Sequence, residues 1–483
     1  MNPQQADPAL PVEVSLEDLR QAGRQPALPF ALMLADGSRL EFTRLLRLLP
    51  GKRLAGLALW NGQPVFAKLF IGADAPRHGE RERAGLAALA AARLPTPAVL
   101  FAGKVGEVGY LVLSAWLDGA ATLNEQALSP RDPEPLLPAL VLLGRLHAAE
   151  LVQHDAHLDN FLRHDGRLLL IDGDGVRPLN TEGDCLANLA HLLAQLIPAW
   201  DRQRDRLLQA YGHPVDVGAL AAAVALARQR RLNHFLAKTV RDCSQFAVYK
   251  NFRRFTAVLR EEVPALQTLL QDPDTAMATG KLLKDGGTCT VAAVDIGGRT
   301  LVVKRYNLKH WRHALSRLWR PSRAWHSWQA AHRLAYCGIA TPKPLAMSEE
   351  RIGPLRRRAF LITEHCPGAN LLSLLDPAQE PESAMQAALR ELFATLYELR
   401  ISHGDLKATN LLWHDGQIVL IDLDALTQHR SEKAFARLWR RDRARFVRNW
   451  PADSVLAQWL ERVLPGQPVR QKGKLCTNHR HTA

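Results

Sequence analysis

The chain carries one acidic loop pattern twice, 250 residues apart. The first copy runs Asp155-Ala156-His157-Leu158-Asp159-Asn160 and leads to Ile171-Asp172-Gly173-Asp174. The second runs Asp405-Leu406-Lys407-Ala408-Thr409-Asn410 and leads to Ile421-Asp422-Leu423-Asp424. In both copies the strand-end Asp follows the Asn by 12 residues. A lone D-x4-N is ordinary turn chemistry, since Asp and Asn favour turns and helix caps. Two gapless copies, each leading through an apolar run to Asp, point instead to metal-dependent transfer from ATP. In that chemistry one Asp takes the acceptor proton, and the Asn and later Asp hold Mg²⁺. Asp155 and Asp405 are thus the expected bases, and Asn160, Asp172, Asn410 and Asp422 the expected metal ligands. Internal repetition also sets the architecture as tandem.

The residues upstream of each loop read the same way. Phe30–Leu34 and Leu40–Leu45 flank Asp36-Gly37-Ser38, and Leu54–Trp60 and Val65–Phe70 flank Asn61-Gly62, both hairpin signals. A helical stretch, Arg77–Arg93, stops at Pro95-Thr96-Pro97, and Tyr110–Ala115 reads as a strand. The second half replays this with Cys289–Val294, Thr300–Tyr306, a helix over Ser322–Cys337 and a strand at Phe360–Thr363. Helices at 134–149 and 382–399 precede the loops, and helices fill 184–270 and 433–463. The expected fold is α+β: two tandem protein-kinase-like bilobal domains, each a strand-rich N-lobe followed by a helical C-lobe. The expected limits are an N-terminal extension over 1–28, domains at 29–270 and 281–466, a linker at 271–280 and a basic tail at 467–483.

Such a site also needs a strand lysine for the α/β-phosphates. Lys68 and Lys304 each follow an apolar strand run, in the same order relative to the acidic loop. A glutamate on the next helix normally fixes that lysine. Aligned on Pro97 and Pro342, Glu82 falls opposite Ser327. The first copy therefore has a partner for Lys68 in Glu82, with Glu80 as a fallback. The second has none at that position. No G-x4-G-K-[ST] occurs, so this is not a P-loop protein. The turns Pro50-Gly51-Lys52 and Asp285-Gly286-Gly287-Thr288 are weak signals for the phosphate-covering loops.

Composition bounds the rest. A length of 483 residues suits two or three domains, and 47% hydrophobic and 23% charged content is that of a globular protein. No apolar run reaches the ~18–20 residues of a membrane span, and the first residues do not read as a secretory signal. Six scattered cysteines without a C-x-x-C pair read as buried thiols of a cytoplasmic protein. Residues 1–275 hold 30 Lys+Arg and 30 Asp+Glu, whereas 276–483 hold 32 and 18, so the whole +14 lies in the second half. A field of one sign attracts anionic partners.

At these motifs the chain resembles the bacterial lipopolysaccharide core kinases, the Kdo/heptose kinase family. His157-Leu158-Asp159-Asn160-Phe161-Leu162 is similar to that family's D-L-H-x-x-N-F-L loop. Ile339-Ala340-Thr341-Pro342-Lys343-Pro344-Leu345 is similar to its G-I-x-T-P-x-P-L segment. The resemblance covers about 40–270 and 280–465, and within the family is nearest to tandem members of pseudomonad type. It implies ATP- and Mg²⁺-dependent phosphorylation of an inner-core sugar hydroxyl at the cytoplasmic face of the inner membrane. It also implies that Lys68 and Lys304 bind ATP phosphates and that Lys407 reaches the transferring phosphate. The first copy has His157 at that place.

The implied partner is the core glycolipid. Lys304–Trp328 holds seven Lys and Arg and no acid, interleaved with Trp311, Trp319, Trp325 and Trp328, and Arg437–Trp450 holds six Arg against one acid. Basic residues mixed with Trp suit an anionic membrane surface. Solvated helices whose tryptophans fill the core fit the same pattern. No nucleic-acid-binding motif occurs. Two other readings stay open: a protein or other small-molecule kinase, and a regulatory protein in which one or both domains is a pseudokinase.

Overall fold

The computed structural model describes residues 11–307, 321–353 and 355–466. The chain divides into two units, Met1–Leu196 with Trp200–Gln229, and Ile197–Ala199 with Arg230–Ala483.

The first unit opens on a seven-stranded sheet. Its strands are β1 (Val12–Glu13), β2 (Phe30–Met33), β3 (Arg39–Leu49), β4 (Arg53–Trp60), β5 (Gln63–Phe70), β6 (Val99–Val105) and β7 (Gly109–Ala115), in spatial order β1-β2-β3-β4-β5-β7-β6. All pairings are antiparallel except β1 with β2. The β4–β5 turn is Asn61-Gly62, with φ of 49° and 77°. Positive φ at both central residues matches the twist of a two-residue hairpin, which is why Asn-Gly is favoured there. The expected extension over 1–28 is partly built into this sheet. Besides β1, the helix Leu16–Gln21 opens on a Ser15–Asp18 capping box and buries Leu19 in the sheet core.

Helix α1 (Ala75–Ala91) crosses between β5 and β6. The helical part follows, with α2 (Leu137–Ala148), the hairpin β8 (Phe161–His164) and β9 (Arg167–Leu170), α3 (Glu182–Leu193), α4 (Arg204–Tyr211) and α5 (Val217–Lys238).

The second unit has its own seven-stranded sheet, of β10 (Phe246–Lys250), β11 (Arg254–Leu259), β12 (Lys281–Gly286), β13 (Cys289–Ile296), β14 (Arg299–Tyr306), β15 (Pro344–Ile352) and β16 (Leu355–Glu364). Their spatial order is β10-β11-β15-β16-β14-β13-β12. Helix α6 (Arg323–Tyr336) starts at Ser322, whose hydroxyl accepts the Trp325 N–H, and stops before Gly338 at φ 74°. The helical part holds α7 (Ser383–Glu398), the hairpin β17 (Leu411–His414) and β18 (Gln417–Leu420), α8 (Glu432–Val447) and α9 (Val455–Val463). Both units are thus kinase-like, a strand-rich lobe followed by a helical one.

Two expectations change. The division falls between Gln229 and Arg230, inside α5, and not at 271–280. The stretch 184–270 is not all helix: Phe246–Leu259 forms the β10–β11 hairpin, and β11 pairs with β15 of the second sheet. The apolar run Phe255–Leu259 is as compatible with a buried strand as with a helix, and an edge of the second sheet takes it up. The expected linker contains the helix Pro273–Thr279, capped by Asp272.

Three tryptophans of the basic segments sit in cores. Trp328 is fully buried beside Phe246, and Trp439 and Trp450 lie in the helical core with Phe393 and Phe446. These rings face neither solvent nor a membrane, and burying one large side chain contributes about 1.5–3 kcal/mol. Trp311, Trp319, the basic residues of 308–320 and the tail at 467–483 lie outside the described residues. No described helix is long and apolar enough to cross a membrane.

Candidate active site

In the first unit Lys68 lies mid-strand on β5, between Ala55 of β4 and Val112 of β7. Its ammonium reaches Glu82 Oε1 at 2.8 Å and Asp172 Oδ1 at 2.9 Å. Glu82 comes from α1, and its second oxygen accepts the Asp174 N–H at 2.9 Å. The fallback Glu80 is turned away, pairing with Arg83 and accepting the Tyr110 hydroxyl at 2.8 Å. Two carboxylates share one lysine, and their proton affinities separate. Burial, with Asp172 beside it, raises Glu82 against the pull of Lys68. Burial also acts to raise Asp172, but Lys68 and the hydrogen bonding around it hold its carboxyl far below the usual range.

Close approach of backbone makes this contact reachable. A Cβ on Gly85 of α1 would lie 2.0 Å from the Gly173 carbonyl oxygen. Gly85 and Gly173 therefore let α1 lie against the turn that carries Asp172. That turn is itself unusual, because Asp172 has φ 74°, a left-handed conformation costly for a side-chain-bearing residue. Asp422 repeats it at φ 60°.

The second unit solves the lysine problem differently. Lys304 on β14 reaches Asp422 Oδ1 at 2.6 Å and Asp424 Oδ1 at 2.9 Å. The position opposite Glu82 is Ser327, whose hydroxyl donates to Asp424 Oδ1 at 2.8 Å. The Tyr306 hydroxyl donates to the same oxygen at 2.7 Å, and Arg323 pairs with the other. The position opposite Glu82 holds no carboxylate, and Asp424 supplies the second one to Lys304 from the turn instead of the helix. Burial acts to raise Asp424, but Lys304, Tyr306 and Arg323 together lower it. Burial acts to lower Lys304, and the two aspartates outweigh it, so the ammonium is held above its ordinary value. At the positions of Gly85 and Gly173 stand Ala330 and Leu423, both buried. In the first unit Asp174 instead pairs with Arg81 and His78, at 3.1 and 3.3 Å.

The acidic loops have one scaffold. Asn160 Nδ2 donates to the Asp155 carbonyl at 2.7 Å, and Asn410 Nδ2 to the Asp405 carbonyl at 2.9 Å. Gln153 Nε2 donates to the Ile171 carbonyl and His403 Nε2 lies against the Ile421 carbonyl, both at 3.0 Å. A helix residue holds the loop backbone in each: Asn188 of α3 binds both Gln153 N–H and carbonyl, and Asp442 of α8 accepts the His403 and Gly404 N–H groups. Burial raises Asp442 despite those bonds. Sequence reasoning missed Asn188, Asp442 and Asp424. Asp424 had a signal in the repeated D-x-D, whereas the other two sit in ordinary helical sequence.

The carboxylates of the loops differ in company. Asp405 lies between Lys407, at 3.2 Å, and Arg445 of α8, at 2.6 Å. Asp155 has His157 Nε2 at 2.7 Å and His191 Nε2 of α3 at 3.8 Å. The His157 hydrogen bond lowers Asp155 below its ordinary value. Beside Lys304 a cavity of about 340 Å³ is lined by Val291, Val302, Leu361, Thr363, Asn410, Leu412, Asp422 and Asp424. An apolar slot ending on a lysine and two aspartates suits a flat base joined to phosphates.

A strand lysine tied to a turn aspartate, beside a D-x4-N loop, is the site of a kinase-like fold. Residues 278–454, which lie in the second unit, match the family model described as Lipopolysaccharide kinase (Kdo/WaaP) family. RIO-type serine/threonine-protein kinase Rio1 of Haloferax volcanii is 31% identical over 141 residues, 27% of this chain and 44% of that protein. The 3-deoxy-D-manno-octulosonic acid kinase of Mannheimia succiniciproducens is 27% identical over 150 residues, 29% of this chain and 62% of that protein. The chain thus spans about half the length of these curated relatives. Among solved structures, WaaP in complex with acyl carrier protein is 21% identical with a TM-score of 0.32, over 38% of this chain and 88% of that one. Vaccinia related kinase 3 is 14% identical with a TM-score of 0.25, over 34% and 56%.

Proposed function

We propose that the chain is an ATP-dependent kinase that phosphorylates a sugar hydroxyl of the lipopolysaccharide inner core, heptose or Kdo, and that both units carry a working site. The observation that carries this reading is the double occurrence of a buried lysine joined to a left-handed turn aspartate, at 2.9 Å in one unit and 2.6 Å in the other. The γ-phosphoryl of ATP passes to the sugar oxygen, and ADP leaves. Lys68 and Lys304 hold the α/β-phosphates, Glu82 and Asp424 orient those lysines, and Asp155 and Asp405 take the hydroxyl proton. Lys407 lies over the transferring group in the second site.

The donor set fits magnesium. Each Asn amide N–H is spent on the loop backbone, which leaves its oxygen, with Asp172 or Asp422, as hard ligands of the kind magnesium takes. When bound, the ion neutralises phosphate charge. The exposed arginines of α8 and its C-cap, among them Arg437, Arg440, Arg441 and Arg448, support a place at the anionic cytoplasmic face of the inner membrane. Partition onto anionic vesicles should fall with salt if they act there.

The test is transfer from labelled ATP to core oligosaccharide by wild type, Asp155→Ala, Asp405→Ala and the double variant. Removing a general base typically costs about 10²–10⁴ in rate. Each single variant should keep part of the activity, and the double should lose at least ~100-fold. Wild-type transfer by the double variant would overturn the assignment of the bases.

A further inference from the structure

Asp155 is the meeting point of two imidazoles, and its counterpart is not. His157 Nε2 is 2.7 Å and His191 Nε2 3.8 Å from Asp155 Oδ1, and the three ligand atoms lie within 4.8 Å of one another. The two rings stand edge to face with centroids 5.3 Å apart. A tetrahedral zinc ion with ligand bonds of about 2.0–2.2 Å separates its ligand atoms by roughly 3.3–3.5 Å. The observed spacings bracket that value.

The surroundings select the ligating nitrogen. His157 Nδ1 lies 3.0 Å from Gln195 Oε1, which also accepts the Leu158 N–H at 3.0 Å. Gln195 in turn donates to the Ala156 carbonyl. An amide oxygen on Nδ1 fixes the proton there and presents Nε2 as the donor atom, the outer-shell arrangement typical of metal-bound histidine. The Asp155 carboxylate supplies an oxygen ligand beside the two imidazoles.

The second unit provides the internal control. Asn188 and Asp442 hold the two loops from equivalent helix positions, and three residues onward stand His191 and Arg445. The places of the two imidazoles are taken by Lys407 and Arg445, which cannot ligate and which pair with Asp405 directly.

We propose that Asp155, His157 and His191 bind a divalent transition-metal ion of the zinc class, with three protein ligands and an open fourth position. Imidazole ligands favour zinc, cobalt, nickel or copper over magnesium, so this site is chemically distinct from the oxygen donors Asn160 and Asp172. A metal on Asp155 removes the first base and leaves Asp405 untouched. That consequence rests on the base assignment above; the binding itself does not.

The experiment uses the full chain without nucleotide, titrated with Co²⁺ and then Zn²⁺, and reads visible Co²⁺ absorption. The expected result is one Co²⁺ per chain, displaced by Zn²⁺, and unchanged when His479 and His481 of the tail are both replaced by Ala. His191→Ala should weaken binding at least ~10-fold. The double variant His157→Lys, His191→Arg installs the second unit's cations, so it should fold and bind no metal there. Binding by His191→Ala equal to wild type would overturn the proposal. So would an anomalous zinc peak in crystals that lies away from the two Nε2 atoms, whatever the variants do.

Discussion

The two lysine sites hold the same charge by different means. Lys68 is gripped from the helix by Glu82 and from the turn by Asp172. Among the described residues Lys304 is gripped from the turn, by Asp422 and Asp424, and the helix contributes Ser327 and Arg323 to hold Asp424. What a buried ammonium needs is two oxygens in a fixed place, since an unpaired buried charge is costly. The element that delivers them is exchangeable. A missing helix glutamate is therefore not by itself a mark of a dead site.

The backbone contact that admits the helix glutamate is the sharpest way to separate the two arrangements. Gly85→Ala forces a methyl within 2.0 Å of the Gly173 oxygen, so the first unit should lose about 1–3 kcal/mol. Ala330→Gly in the second unit should cost only about 0.5–1 kcal/mol, as helix propensity. Amide hydrogen exchange in β5 and β14 reads each unit separately. Equal losses in the two units would remove the glycine contact from the account.

Acid should move the contributions of Glu82 and Asp424 in opposite directions. Glu82 is raised above 4.5 in the folded chain, so its contribution to stability grows as pH falls through that raised value toward 4.5. Asp424 is lowered from 3.8, so its contribution is full above 3.8 and disappears as pH falls through the lower folded value. Lys304 is raised from 10.5, so its share is full below 10.5 and is lost as pH rises through the folded value. The stability gap between wild type and Asp424→Asn should accordingly be flat near neutrality and shrink at both extremes. A gap that widens below pH 3.8 would contradict the Asp424 pairing.

Much of this was legible in the chain itself. Both hairpin turns of the first sheet, the helix from Ser322 and the pairing of Lys68 with Glu82 follow from local signals, namely Asp-Gly and Asn-Gly turns, a helical run and a repeat alignment. The partner of Lys304 did not, because alignment asks what replaces a residue at its own position. Asp424 replaces Glu82 from another element, 97 residues from Ser327. The β10–β11 hairpin was hidden for a related reason: its apolar run is short, and only pairing with β15 decides that it is a strand. Trp328 and Trp439 fill cores because α6 and α8 are amphipathic, a period that counting basic residues and tryptophans overlooks.

The central claim is that Asp424 does for Lys304 what Glu82 does for Lys68. A double-mutant cycle on Lys304→Met and Asp424→Asn, read by hydrogen exchange in β14, tests it directly, with Lys68→Met and Glu82→Gln in β5 as its counterpart. Coupling of about 1–3 kcal/mol is expected in both cycles. Coupling in the first unit with additivity within about 0.5 kcal/mol in the second would contradict it.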